Sequence, residues 1–280
     1  LNPDLLTELA PATPDLPSRP PTFCPGCSHR GLFVVLKKMR VFVSGDIGCY
    51  TMGALAPYNA VHCSTCMGAS LSMAHGMAKV LEPQAEGAKP DLRQRPIGII
   101  GDSTFFHSGM TSLLDVVYNN GTTLNIIVDN STTAMTGGQE NPGSGKTLLG
   151  EPSATVDIPA LCHAFGIKRV TTIDPYDMAE TERVLREELA SGELSVVIAK
   201  APCVLQFKIK KPVFQIDAEK CIGCKRCLQA GCGALNLYTD TSGDNKVEIN
   251  PTDCAGCGVC SQLCKEDAIA RFTPAEGKGS

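Results

Sequence analysis

Apolar and polar positions along the chain switch between two periods, and the switching predicts an α/β sheet. Short unbroken apolar runs at 41–44, 96–100, 124–128 and 196–200 read as buried strands, with a shorter one at 169–172. Between them, apolar residues recur at helical spacing over 31–39, 67–81, 107–119, 158–165 and 178–190. In 107–119 the core stripe is Met110, Leu113, Leu114 and Val117. Strands that alternate with helices need crossover connections, so the sheet is expected to be mostly parallel with helices on both faces. Residues 130–153 interrupt the pattern: they are rich in Gly, Thr and Ser and have no apolar period. A loop of that length inside a compact domain is usually functional.

Two strand ends carry polar residues. Gly101-Asp102-Ser103 follows the run at 96–100, and Asp129-Asn130 follows the run at 124–128. Parallel neighbours present their carboxyl ends at one sheet edge, where open α/β sheets bind ligands. The Asp102 carboxylate and the Asn130 carboxamide suit a hard cation such as Mg²⁺ that shares its shell with a diphosphate. Taken alone, the pair also fits a helix cap and a turn.

Composition narrows the class. The chain has 280 residues, 43% hydrophobic and 19% charged, enough for one large and one small globular domain. A net charge of −4 argues against a nucleic-acid partner. No apolar run approaches the roughly 20 residues of a membrane helix, so no span is expected. The start, Leu1-Asn2-Pro3-Asp4, has neither an initiator Met nor a basic signal region, and is expected to lie inside a longer polypeptide or to follow processing. Residues 1–22 carry Pro3, Pro11, Pro14, Pro17, Pro20 and Pro21 and read as a linker. A large domain is expected over 23–207 and a small one over 208–280, which includes a basic connector at 208–212 and a tail at 273–280.

The outlying number is 15 cysteines. Eight of them crowd between Cys221 and Cys264 in repeated C-x-x-C spacing, which reads as metal binding in a reducing, cytoplasmic compartment. Cys221, Cys224, Cys227 and Cys232 form one run, and Cys254, Cys257, Cys260 and Cys264 repeat it. Three cysteines in a tight turn serve three irons of a cubane, and the fourth thiolate comes from the other repeat, as in two-cluster ferredoxins. One [4Fe–4S] cluster is therefore assigned to Cys221, Cys224, Cys227 and Cys264, and the second to Cys232, Cys254, Cys257 and Cys260. Zinc would instead favour two separated C-x₂-C pairs.

Cys24-Pro25-Gly26-Cys27 opens the large domain, and by itself fits a metal ligand pair, half a zinc site or a redox dithiol. Cys49 follows the first strand and Cys203 the last. Since strand ends meet at one edge, Cys24, Cys27, Cys49 and Cys203 can complete a third cubane. Cys63 and Cys66 are left unassigned, cysteine being a common core residue, and Cys162 is expected in the core.

Three stretches, Cys24-Pro25-Gly26-Cys27-Ser28-His29-Arg30-Gly31, Gly45-Asp46-Ile47-Gly48-Cys49 and Thr65-Cys66-Met67-Gly68-Ala69-Ser70, stand out as motifs. Gly101-Asp102-Ser103-Thr104-Phe105-Phe106-His107-Ser108-Gly109 and Met135-Thr136-Gly137-Gly138-Gln139 add to them. On these motifs rests a resemblance to the 2-oxoacid:ferredoxin oxidoreductases, specifically the large-subunit branch acting on indolepyruvate. It implies a thiamine-diphosphate-binding fold followed by a ferredoxin-like α+β domain. It further implies that Asp102, Asn130 and the carbonyl of Thr132 hold Mg²⁺, with Gly101 and Ser103 beside the cofactor and Thr136, Gly137 and Gly138 lying over it. Ser103 replaces the usual Gly of the motif and Asp129 the usual Asn, which leaves the side-chain ligand role to Asn130. The four cysteines Cys24, Cys27, Cys49 and Cys203 match the proximal-cluster positions. The implied reaction is oxidative decarboxylation of an arylpyruvate to acyl-CoA and CO₂, with coenzyme A as co-substrate and electrons passed to ferredoxin. His29, His62, His75 and His107 are candidate proton handlers, His29 first. The implied partners are a pyrimidine-binding domain or subunit that supplies an activating Glu, and a small gamma/beta-type subunit, in a dimer of heteromers. The competing reading is a polyferredoxin-type carrier with a degenerate thiamine domain.

Overall fold

The computed structural model describes residues 20–81 and 95–272. Most of the linker reading (1–19) and the tail at 273–280 lie outside the described residues.

The apolar runs become a six-stranded parallel sheet of order β2-β1-β3-β4-β6-β5. Its strands are β1 (Val43–Gly45), β2 (Cys63–Ser64), β3 (Ile97–Gly101), β4 (Leu124–Asp129), β5 (Arg169–Ile173) and β6 (Ser195–Lys200). Every residue of β3 and β4 is buried, as continuous apolar runs require when helices cover both faces. Alternation survives inside those runs. Ile126 and Val128 pack on one face with Leu32, Phe33 and Leu185, while Ile127 packs on the other with Leu71, Phe105 and Leu113. The first face is covered by α1 (His29–Met39) and α5 (Met178–Ser191), and the second includes α2 (Ser70–Leu81) and α4 (Ile158–Ala164). Helices α4 and α5 begin where Asp157 and Asp177 accept hydrogen bonds from Ala160 N (2.7 Å) and Glu180 N (3.0 Å). Register then sets the site: Gly101 pairs with Val128, and Asp129 with Lys200, so Asp102 and Asn130 leave adjacent strands side by side.

The helix expected from 107 instead begins at the end of β3. Helix α3 runs through Asp102–Thr104, a π turn at Phe105–Gly109 and Met110–Tyr118. Asp, Ser and Thr are weak helix formers favoured at helix starts, so apolar spacing does not reveal this first turn. The π turn admits one extra residue and buries Phe105 and Phe106 together; such bulges recur at functional sites. The two-residue strand β2 is too short to show a period. It places Cys63 half-buried, and Cys66 is exposed, so neither of these unassigned thiols sits in the core, whereas Cys162 is fully buried as expected.

The cysteine-rich segment builds two antiparallel ribbons: β7 (Phe214–Ile216) with β10 (Ile269–Arg271), and β8 (Leu235–Thr239) with β9 (Asn245–Ile249). Phe214, Val247 and Ile269 form its small core around Cys227. The connector does not hold this segment at a distance. Lys211 N donates to Ala255 O (3.2 Å), and Gly26 packs so closely on Ala255 that a Cβ there would lie 2.5 Å from the alanine methyl. Tyr176 Oη donates to Gly26 O (2.7 Å), and Gln262 bonds to both Tyr176 O and Met178 N. The module is therefore docked on the sheet domain, not loosely tethered.

Candidate functional site

Two adjoining cavities open at the carboxyl edge of the sheet. The smaller, about 120 Å³, is lined by Gly101, Asp102, Ser103, Asn130, Thr132 and Thr136. Asp102 is buried, and its Oδ2 accepts from Asn141 Nδ2 at 3.1 Å. Burial, and then the neighbouring Asp129 carboxylate, push its pKa up to about 7. Asp129 itself is engaged by Lys200 Nζ (3.2 Å) and Ser131 N (2.9 Å). Asn130 Oδ1 accepts from Thr132 N (3.3 Å), and Ser103 and Thr133 share a hydroxyl hydrogen bond of 2.7 Å.

The loop after β4 folds back on itself. Thr133 N donates to Gln139 O (2.9 Å), and Thr136 and Gln139 exchange two hydrogen bonds of 2.5 Å. Gly137 and Gly138 take φ of 115° and 82°, which favour glycine, and Gln206 occupies the space a Gly138 side chain would need. Both glycines line the second cavity.

That second cavity, about 380 Å³, brings together Cys24, Cys27, Cys49 and Cys203. The Cys24–Cys27 turn closes through Cys27 N to Cys24 O (3.0 Å), and Cys203 is tied to the end of β4 by its N–H to Asn130 O (3.0 Å). Burial pushes the Cys27 thiol up to about 12, with Cys24 and Cys49 adding like charge. Cys49 is raised by burial and by Cys203 and Cys24. Cys27 and Cys49 thus resist ionisation unless a cation is shared with them. The two cavities have a common wall that includes His29, Cys49, Asn130 and Met135.

Of the candidate histidines, His29 alone lines these cavities. Its burial lowers its pKa to about 4, so it is a neutral imidazole near neutral pH. His62 Nδ1 accepts from Val43 N (3.1 Å) and its ring stacks on Phe42; His75 is buried, and His107 lies in the π turn.

The tandem repeats come together in space. Cys221, Cys224, Cys227 and Cys264 line one small cavity. Cys260 is pushed up to about 12 by burial and then by Cys257, Cys232, Cys254 and Cys227, so it lies within range of cysteines from both runs. Among the described residues no three His, Cys, Asp or Glu side chains converge as ligands of a single ion. A cubane instead spreads its thiolates, one to each iron.

Three contributors were not singled out from the sequence. Asn141 reaches Asp102 from the long loop. Fully buried Asp46 takes hydrogen bonds from Gly68 N (2.7 Å), Ser70 Oγ (3.1 Å) and the Tyr50 hydroxyl, and so joins the Gly45–Cys49 motif to the start of α2. Burial raises its pKa to about 6. Arg30, also fully buried, is taken up below.

A switch-point pocket with this polar rim, beside a two-ribbon cysteine module, defines a thiamine-diphosphate-binding α/β domain joined to an iron–sulfur dicluster domain. Residues 46–199 match the thiamine pyrophosphate enzyme, C-terminal TPP binding domain, family, and residues 214–265 match the 4Fe-4S dicluster domain. The chain belongs to the thiamine pyrophosphate enzymes. It is 38% identical over 276 residues to indolepyruvate oxidoreductase subunit IorA of Pyrococcus abyssi, covering 93% of this chain and 42% of that one. It is 33% identical over 277 residues to the subunit of the same name from Methanothermobacter thermautotrophicus, covering 95% and 42%. The chain thus spans about 42% of the length of these relatives. Its fold is similar to 2-oxoglutarate:ferredoxin oxidoreductase from Magnetococcus marinus, with a TM-score of 0.54 and 17% identity over 70% of this chain and 72% of that one. No helix among the described residues is long and apolar enough to cross a membrane.

Proposed function

We propose that this chain is the thiamine-diphosphate and iron–sulfur portion of a cytoplasmic 2-oxoacid:ferredoxin oxidoreductase. It would convert an arylpyruvate such as indolepyruvate to acyl-CoA and CO₂. The observation that carries the reading is the common wall between the Asp102 cavity and the cavity of Cys24, Cys27, Cys49 and Cys203. An electron carrier has no use for the first cavity, and a non-redox thiamine enzyme has none for the second.

The donor set fits the cofactor. Asp102, Asn130 and the Thr132 carbonyl are all hard oxygen donors, as Mg²⁺ prefers. A cation there would also relieve the buried Asp102 carboxylate, which stands against Asp129. Thiamine diphosphate, when bound, supplies the carbanion chemistry that releases CO₂ from a 2-oxo acid. The residues of this chain hold the diphosphate end, enclose it under the Thr136–Gln139 turn, and keep His29 as a neutral hydrogen-bonding group at the wall. Electrons would leave singly through three [4Fe–4S] clusters to ferredoxin, and coenzyme A would take the acyl group. The activating Glu would come from a pyrimidine-binding domain elsewhere in the polypeptide or on another subunit, with a small gamma/beta-type subunit completing a dimer of heteromers.

The metal reading predicts a pH dependence. Ligands bind a metal when deprotonated, and Asp102 takes up a proton as pH falls through about 7. Affinity for Mg²⁺–thiamine diphosphate should therefore be flat above pH 7 and weaken by up to roughly tenfold per pH unit below it. Titration calorimetry between pH 5.5 and pH 8 measures this, and equal affinity at both ends would remove Asp102 as a ligand.

The activity is tested by steady-state assay of the purified complex with coenzyme A and a viologen acceptor. Indolepyruvate and phenylpyruvate should be oxidised in preference to pyruvate and 2-oxoglutarate, and this chain by itself should be inactive. A preference for either aliphatic acid would overturn the substrate class. No viologen reduction with any 2-oxo acid would overturn the reaction.

A further inference from the structure

Arg30 heads the fully buried side chains of the described residues by volume, and its guanidinium lies next to no carboxylate among them. It donates to Phe23 O (2.6 Å), Cys24 O (2.8 Å), Tyr58 Oη (2.8 Å) and Ala230 O (2.5 Å), while its Nε finds no acceptor. Burying a cation without a counter-ion is strongly unfavourable, so the missing anion matters. The contacts come from two sides: Cys24 opens the Cys24–Cys27 turn, and Ala230 precedes Cys232 in the dicluster module. The buried cluster that contains Phe23, Tyr58 and Ala230 reaches the same two sides, with Cys27, Cys232, Cys257 and Cys260 packed against it.

Building on the reading that Cys24, Cys27, Cys49 and Cys203 hold a cubane, we propose that Arg30 is the shared counter-ion of two neighbouring [4Fe–4S] clusters. One is the proximal cluster; the other is that on Cys232, Cys254, Cys257 and Cys260. A cubane with four thiolates is anionic and becomes more so on reduction, so a fixed cation raises its reduction potential. By bonding to both sides Arg30 also fixes their separation. Each transfer oxidises the proximal cubane by one electron and reduces the Cys232 cubane by one. The remaining cluster, whose Cys224 is exposed, then faces the outside.

The test is a redox titration of the whole anaerobic complex, followed by electron paramagnetic resonance together with iron analysis. Arg30→Gln should shift both flanking clusters toward the oxidised form by about tenfold or more at fixed ambient potential, about 59 mV for a one-electron couple. The Cys221 cluster should move less than about twofold, and Arg30→Lys, which keeps the charge, should stay within about threefold of wild type. Unchanged potentials in Arg30→Gln, equal shifts in both variants, or equal shifts in all clusters would overturn the proposal. Absence of a proximal signal from the wild type would instead remove the third cluster itself. If Arg30→Gln loses iron, the wild type decides. None of the Cys232 set is exposed, and enclosure alone disfavours added charge; Arg30 nevertheless predicts that this cluster is reduced before the Cys221 cluster. The opposite order would sink the proposal.

Discussion

Asp102→Ala is expected to empty the protein of thiamine diphosphate while leaving its iron content unchanged. Among the described residues no cation engages Asp102, the carboxylate that lines the small cavity, whereas the neighbouring Asp129 is bound to Lys200. A hard divalent cation needs anionic oxygen, and altering even an outer partner of a metal ligand costs about 10–100-fold in affinity. Loss of the ligand itself should weaken retention by at least about 100-fold. The stability of the cofactor-free protein should move the other way. For a carboxyl whose folded pKa is raised to about 7, the native state favours the protonated form. Its contribution is favourable below the ordinary carboxylate range and is lost as pH rises through about 7. At pH 8 the alanine variant should therefore melt no lower than the cofactor-free wild type. A residue whose only work is to start helix α3 would instead destabilise the fold when removed. Cofactor and iron content after gel filtration, with thermal melts at pH 5 and pH 8, separate the two cases. Full cofactor occupancy in the variant would refute the ligand assignment.

Cys203→Ser is expected to remove one whole cluster. Freshly prepared anaerobic protein should contain about 12 irons per chain, three cubanes of four, and the variant about 8. The dicluster signals should persist, because Cys203 lies in the cavity with Cys24, Cys27 and Cys49, whose lining includes none of the tandem cysteines. Reduction of those clusters by substrate should slow by orders of magnitude, as electron tunnelling falls steeply with distance. Finding about 8 irons in the wild type, or zinc in their place, would leave the four cysteines without a cluster.

Most of the sheet was legible because its information is local. Fully buried parallel strands announce themselves as apolar runs, and 96–100 and 124–128 recur as β3 and β4 within one residue. Adjacent strand ends then put Asp102 beside Asn130, and Cys49 and Cys203 at the same edge. The two cysteine runs announce an iron–sulfur module by their spacing, as the dicluster match over 214–265 bears out. What escaped has no period. Strand β2 has two residues, and the first turn of α3 consists of residues that favour helix starts over helix interiors. Asn141 meets Asp102 across 39 positions, and the Asp46 hydrogen bonds to Gly68 and Ser70 span 22 and 24. Such partners are chosen by tertiary proximity, which no window of sequence contains. The basic stretch at 208–212 reads as a tether for the same reason: the contacts that dock the module lie in Gly26, Tyr176, Ala255 and Gln262.

One buried cluster runs across that junction, with Phe23, Phe33 and Tyr58 on one side and Ala230 and Val259 on the other. Its last acceptor for Arg30 lies 200 positions downstream. During synthesis the sheet domain therefore leaves the ribosome with an open apolar face and an unshielded cation. Domains tend to fold in the order they emerge, and exposed apolar surface in the interval invites aggregation. This domain reaches its finished interior only once the cysteine module has been made and seated. Folding of the sheet domain and seating of the cysteine module are thereby coupled, and a variant whose module cannot seat should leave this apolar face open.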